Sequence, residues 1–252
     1  MFQHLSDFRI RRALLMFERL RKRAVEPEWM DNCSARGPEL QQTYRHLRRL
    51  NRIFGASGPL LFGVKSIWSA AGKPNKLTIL DIGAGSGDVN RRLLRWADRQ
   101  RLELEIVLAD LSEEACFEAK KLFAREPRIR VMQSDLFALP ERFADIVVAT
   151  QFVHHFHSSE LPETVRQMLR VSRSGVVIND IHRHWIPWAA VWLVTRIVSN
   201  NRYIRHDGPL SVAKGFRSDD WKELGESLGI DGKFYFWRPL FRYAVLIPKR
   251  QQ

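Results

Sequence analysis

The sequence predicts an α/β protein: a mostly parallel sheet with helices on both faces, an antiparallel C-terminal hairpin and an N-terminal helical cap. Three observations carry this. From residue 77 onward, short β-branched apolar runs alternate with amphipathic stretches of helical length, the pattern of a parallel sheet covered on both faces. A glycine-rich run, Gly83-Ala84-Gly85-Ser86-Gly87, follows the first apolar run and opens the next helical stretch, the context of a ligand-binding loop. Residues 1–74 lack the alternation and read as helices throughout.

Taken in order, residues 7–24 predict a basic amphipathic helix with Phe8, Leu14, Phe17 and Leu20 along one face, ended by Pro27. A second helix is expected over 38–54, where Leu40, Tyr44, Leu47 and Leu50 recur at helical spacing and Pro38 suits a first turn. The breaker run 55–59 precedes a third helix over 60–71, and a turn follows at 72–75. This divides the chain into a cap, 1–74, and a core domain, 75–252. In the core, strands are expected at 78–82, 105–109, 130–133, 145–150 and 175–180, with helices near 88–100, 113–124 and 160–172. Trp185, Trp188 and Trp192 share one helical face, for which core packing is the default reading and a substrate pocket or a membrane-facing patch the alternative. A helix over 218–228 and a hairpin of 233–237 with 243–248 bring the sheet to seven strands.

The chain's 252 residues, 45% of them hydrophobic, suffice for one large domain with a cap. The two cysteines, Cys33 and Cys116, have no paired spacing. They exclude a disulfide framework and a cysteine zinc site, so no metal is expected, and they point to a reducing, cytoplasmic compartment. Arg9, Arg11 and Arg12 interrupt any secretory leader, and no apolar run reaches the roughly eighteen residues of a spanning helix. The formal charge of +13 favours anionic partners. The first 54 residues are somewhat enriched in it, with twelve Lys/Arg against six Asp/Glu. Helix 7–24 therefore suggests a peripheral contact with an anionic membrane face.

Three acids fall at the ends of three successive strands. Asp81 precedes the glycine loop, Asp110 with Leu111 follows the second strand, and Asp135 with Leu136 follows the third. Open α/β sheets bind ligands in that crevice. The loop is no dinucleotide fingerprint: glycines stand at 83, 85 and 87, and Asp88 occupies the place of the third glycine. A carboxylate at the helix start is a poor neighbour for a pyrophosphate. Asp81 suits an ammonium-bearing ligand, Asp110 the two hydroxyls of a ribose, and Asp135 an adenine amino group.

Asp81-Ile82-Gly83-Ala84-Gly85-Ser86-Gly87, the acid at 110 and the polar-acid pair Ser134-Asp135 together resemble the motifs of class I, Rossmann-like S-adenosylmethionine (SAM)-dependent methyltransferases. The resemblance covers about 77–247. Gln151-Phe152-Val153-His154-His155-Phe156 is similar to the segment after the fourth strand in quinone and small-molecule members. Asn179-Asp180-Ile181-His182-Arg183 and 206–211 are similar to bacterial members found with polyketide or phenolic-lipid enzymes. The resemblance implies SAM as cofactor. Asp81, Gly83, Gly85 and Gly87 would hold its methionine half, Asp110 and Leu111 its ribose, and Asp135 and Leu136 its adenine, with Gln151 beside them. The protein's further contribution would be a base for a phenol or enol of a small aromatic, phenolic or quinone-like acceptor. His155 is the first candidate, then His154, with Asp180 or His182 as alternatives; spacing does not choose among them. A nucleic-acid acceptor suits the charge, but Thr150-Gln151-Phe152-Val153 lacks the Asn/Asp-Pro-Pro-aromatic sequence of adenine amino-methyltransferases. A nonenzymatic SAM-binding protein is a second alternative, and a nicotinamide oxidoreductase a third that Asp88 disfavours.

Overall fold

The computed structural model describes residues 20–31 and 36–249. The basic helix expected over 7–24 lies mostly outside them; its described end, Leu20–Ala24, is a turn leading into an extended strap. The strap closes with a short 3-10 turn, Trp29–Asp31. Next come α1 (Pro38–Ile53), α2 (Ser57–Ala70), β1 (Lys76–Ile82), α3 (Arg91–Gln100), β2 (Glu103–Asp110), α4 (Glu113–Leu122), β3 (Ile129–Gln133) and β4 (Ala144–Thr150). The chain continues with α5 (Leu161–Val171), β5 (Ser172–Ile181), α6 (Trp185–Val198), α7 (Arg202–Lys214), α8 (Ser218–Leu228), β6 (Tyr235–Arg238) and β7 (Arg242–Pro248).

The strands form one sheet in the order β3-β2-β1-β4-β5-β7-β6. β1 to β5 run parallel, while β7 is antiparallel to both β5 and β6. All seven expected strands and the C-terminal hairpin are present. Strand periodicity separates the core into two layers. Leu80, Ile82, Val107 and Val147 face α5 and α8, packing with Val165, Met168 and Trp221. Leu77, Ile79, Ile106 and Val148 face the other way, onto Leu60 and Val64 of α2 and Leu93 of α3. The strand order reverses between β1 and β4, and the crevice outside their carboxyl ends is the ligand position of this architecture.

Helix α2 lies flat on the sheet, over β4, β5 and β7. Gly63 makes the approach possible: a β-carbon there would stand 2.3 Å from Val177 Cγ1. Helix α1 instead rides over the strand ends, against α4, α7 and the turn at Asp88–Asn90.

One helix has no counterpart among the expected elements, and one expectation is overturned. Residues 202–214 form α7 although Gly208 and Pro209 signal a break. Gly208 sits where a β-carbon would press on Thr195 and Val191 of α6, so the pair packs closely enough to keep the helix intact through Pro209. The tryptophan stripe is also not core. Trp185 and Trp192 are exposed, and only Pro187 and Thr195 of α6 are buried.

Gly63→Ala tests the contact that seats α2. It should destabilise the protein by about 1–3 kcal/mol through overpacking, read from the urea midpoint. Val177→Ala in the same chain should recover part of the loss.

Candidate functional site

The glycine loop leaves β1 with Gly83, Gly85 and Gly87 all in the left-handed region, at φ 61°, 56° and 70°. Two of them also lack room for a side chain. A β-carbon on Gly83 would stand 2.1 Å from the Phe152 ring, and one on Gly87 2.3 Å from Leu108. The sequence must therefore place glycine here. The Ala84 N–H donates to the Ala109 carbonyl, tying the loop to β2.

Asp81 and Asp110 flank this loop. Asp81 is buried; its Oδ2 accepts from Asn90 Nδ2 at 2.6 Å, and its Oδ1 has no hydrogen-bond partner among the described residues. Burial pushes its carboxyl up to about 7 against the Asn90 bond, with Asp110 and Asp88 adding to the rise. Asp110 accepts the Gly85 N–H at 2.8 Å and the Ser112 N–H at 2.9 Å, one on each oxygen. It braces the loop and the entry to α4 at once. A carboxylate oxygen has two lone pairs, so both keep an acceptor site. Asp135 accepts the Phe137 N–H at 3.0 Å, and Leu136 beside it is buried. Leu111, 66% exposed, and Phe137, 50% exposed, present apolar side chains at the ends of β2 and β3. An acid-rich crevice with an orphaned carboxylate oxygen and apolar flanks fits a cationic ligand bearing a flat apolar ring.

Gln151, just past β4, has a left-handed φ of 54°, a conformation that costs a residue with a β-carbon about 1 kcal/mol or more. Its N–H donates to the Asn179 carbonyl, and its Nε2 donates to Asn51 Oδ1 of α1 at 2.9 Å. Asn51 Nδ2 in turn donates to Asp88 Oδ1 at 3.1 Å. A polar chain thus joins the end of β4, helix α1 and the glycine loop. Tyr44, two turns earlier on α1, lies with its ring 3.7 Å from where a β-carbon on Gly85 would be.

His154 and His155 form a short 3-10 turn after β4, their rings stacked at 4.4 Å. His154 is buried. Its Nδ1–H donates to Asp180 Oδ1 of β5 at 2.7 Å, and its Nε2 lies 3.5 Å from Glu28 of the strap, an ion-pair contact longer than a hydrogen bond. Burial opposes the charge on this ring, but Asp180 and Glu28 outweigh it and raise His154 to about 9. The reciprocal effect lowers both acids. Burial works against it in each, yet His154 holds Glu28 down to about 2 and Asp180 below its ordinary range. His155 is partly exposed, and its Nδ1 meets Asp31 of the strap at 2.7 Å. The two rings therefore differ in setting: one enclosed between two acids, the other half-exposed and oriented by a single acid.

The strap is fixed by α7. Asp207 accepts the N–H groups of Trp29 and Met30 at 2.9 and 3.0 Å, Ser211 donates to Glu28, and the Lys214 ammonium stands 3.8 Å from the same carboxylate. Arg23 staples the strap to the histidine turn through the carbonyls of His154 and Phe156. A cavity of about 510 Å³ opens beside both histidines, lined also by Arg21, Lys22, Arg183 and Lys214. Glu28, His154 and His155 each bring one donor atom within 4.8 Å of the others. That is a possible ligand triplet for a metal, but the Lys214 ammonium and the His154 proton already supply positive charge there. His182 is held neutral, lowered to about 4 by burial, and packs against Tyr243 and Phe241.

Every expected site residue thus lies at the carboxyl ends of β1 to β5. Glu28, Asp31, Tyr44, Asn51 and Asn90 were missed. None sits in a recognisable motif; they reach the site by folding.

Residues 79–175 match a family model described as a methyltransferase domain. Methylphloroacetophenone synthase of Cladonia uncialis is 33% identical over 95 residues, which are 36% of this chain and 4% of that protein. A non-reducing polyketide synthase of Preussia isomera is 27% identical over 166 residues, 64% of this chain and 6% of its own. The chain therefore spans only a small part of these two relatives. Among solved structures, a SAM-dependent methyltransferase from Aquifex aeolicus superposes with a TM-score of 0.56 at 16% identity, covering 82% of this chain and 97% of that one.

The pairing of His154 has a sign that can be measured. Its folded value lies above the ordinary 6.5, so its contribution is full below about pH 6.5 and is lost as pH rises through about 9. Between pH 6 and 10 the melting temperature should fall more in the wild type than in His154→Gln, and the His154 ring should still titrate as imidazolium at pH 8 by NMR.

Proposed function

We propose that this chain, which carries a SAM-dependent methyltransferase domain on the class I fold, methylates a small aromatic, phenolic or quinone-like acceptor in the cavity beside His154 and His155. SAM is the cofactor of this fold, and when bound it supplies an activated methyl group on a sulfonium. The observation that carries the reading is the join of an acid-lined crevice to a stacked pair of histidines, each backed by a carboxylate. The two curated relatives are named for a phenolic ketone and for polyketide synthesis, which supports an acceptor of that chemical class.

In this reading Asp81 and the glycines at 83, 85 and 87 receive the methionine half. Asp110 and Leu111 receive the ribose, Asp135 and Leu136 the adenine, and Gln151 closes the methyl side. His155 takes the proton from the acceptor's hydroxyl or enol, and Asp31 holds its ring in the tautomer that leaves Nε2 free. His154 stays charged and favours the acceptor's anionic form electrostatically. The strap and α1 act as the lid, while α2, also within the expected cap, packs on the sheet. The strap and α1 contribute Glu28, Asp31, Tyr44 and Asn51, and they exclude water from the transfer.

The deciding experiment combines calorimetry with a labelled-methyl assay. Asp110→Ala should weaken SAM binding by about 1.5–3 kcal/mol, the scale of a charge-assisted hydrogen bond. His155→Ala should leave SAM affinity nearly intact and lower turnover by roughly 10²–10⁴. Label should enter the organic-extractable fraction of an extract. Label in nucleic acid instead, or wild-type SAM affinity in a folded Asp110→Ala, would sink the reading.

Burial of Asp81 gives an independent check. Its carboxyl is raised to about 7 by burial, so a cationic ligand must displace a proton. SAM binding should strengthen as pH rises from 6 to 8, with proton release visible in buffers of different ionisation enthalpy. Asp81→Asn should abolish the release.

A further inference from the structure

The surface helix α6 reads Trp-Ile-Pro-Trp-Ala-Ala-Val-Trp-Leu-Val-Thr-Arg-Ile-Val. A helix on a soluble surface ordinarily turns polar residues outward. Here Leu193 is 53% exposed and Ile197 73%, with Ile186 and Trp192 exposed beside them. The patch does not stop at the helix. His184, which caps α6, stacks on Phe241 of the β6–β7 turn, and Phe241 meets Trp237 edge-on at 6.3 Å. Leu240 in that turn is 52% exposed, and Trp237 is exposed too. Helix and turn make one continuous apolar face, larger in kind than scattered surface leucines.

The exposed charge beside this face is basic. Between 183 and 214 the sequence has five Lys/Arg, of which Arg183 and Lys214 are buried and Arg202 pairs with Glu39, leaving Arg196 and Arg205, and a single acid, Asp207. That acid is buried and spent on the Trp29 and Met30 N–H groups. Arg196 is exposed, its guanidinium 4.0 Å above the Trp192 ring, and Arg238 borders the turn, over Phe62. With fourteen residues, α6 is about 21 Å long, and no helix among the described residues is long and apolar enough to cross a membrane. An apolar helix rimmed by arginines, with tryptophans among its exposed residues, is the composition of a segment lying in a lipid interface.

We propose that α6 and the β6–β7 turn are the face by which this protein rests on an anionic lipid bilayer. The face leads inward. A small apolar cleft of about 70 Å³ runs beneath it, lined by Leu47, Leu50, Pro187, Val191, Leu240 and Phe241, and Gln151 borders it as well. Gln151 belongs to the hydrogen-bonded chain that reaches the glycine loop. The surface proposal itself does not depend on methyl transfer, and its test reads location alone.

The test is co-sedimentation of the full chain with vesicles of equal phosphatidylcholine and phosphatidylglycerol, against pure phosphatidylcholine, at low and high salt. Quenching of tryptophan fluorescence by brominated lipid reports depth. The wild type should sediment with the anionic vesicles and be quenched. Leu193→Ser with Ile197→Ser should weaken partition at least tenfold while circular dichroism and S-adenosylhomocysteine binding stay unchanged; Leu240→Ser provides a second variant on the other element. Three outcomes overturn the proposal. The wild type ignores anionic vesicles at low salt. Both variants bind as tightly as the wild type. Or the wild type fails to bind vesicles and sediments alone as a dimer that the double variant abolishes, so that a second copy covers the face.

Discussion

A protonated imidazole enclosed between two buried carboxylates is expensive to assemble, and the ordering of the site depends on it. Glu28, His154 and Asp180 come from the strap, the turn after β4 and the end of β5. Each charge alone would cost several kcal/mol to desolvate, and removal of one partner strands the others. The cluster is therefore closed only when the strap is seated. Seating the strap also sets Asp31 against His155. The same bond network that seats the strap thus orients the accessible ring, and a displaced strap would take Asp31 from His155 while His154 kept Asp180.

Burial explains why two neighbouring histidines serve different ends. The ring that points into the protein gains two acids and is locked as a cation, while its neighbour keeps solvent on one side and a single acid on the other. Adjacent residues in a tight turn diverge in direction, so one motif supplies an anchor and an accessible group from consecutive codons. The electrostatics of the crevice are complementary: acids gather around the glycine loop, while lysine and arginine gather around the histidine cavity. The arrangement suits a cationic donor on one side and an acceptor that becomes anionic on the other.

The parts of this fold that could be read from the sequence are those whose signals are local. The strands announce themselves by β-branched runs, and the glycine loop by a steric requirement that Phe152 and Leu108 enforce. Asp81, Asp110 and Asp135 follow from strand ends. What escaped is long-range. Helix α7 was hidden because Gly208 and Pro209 are breakers in isolation and become tolerable only against Thr195 and Val191. Glu28 and Asp31 were invisible because their partners are more than a hundred residues away. The unrecognised helix and the unrecognised acids are one omission, since Asp207, Ser211 and Lys214 of α7 hold the strap that carries them. The tryptophan stripe misled for the opposite reason. Periodicity says that a face is apolar; it does not say what the face meets.

The position of β7 bears on how the molecule is made. The strand latest in sequence is not at an edge but lies between β5 and β6, hydrogen-bonded on both sides. Its first residue, Arg242, donates to the Phe54 carbonyl, nearly two hundred residues back. During synthesis, β1 to β5 can pair as they emerge, but the open edge of β5 stays exposed until residue 248 has cleared the ribosome. The nascent chain must carry an unpaired, apolar strand edge through that interval, a state prone to edge-to-edge association. The Val176–Ile178 edge is closed only when the last strand docks between β5 and β6.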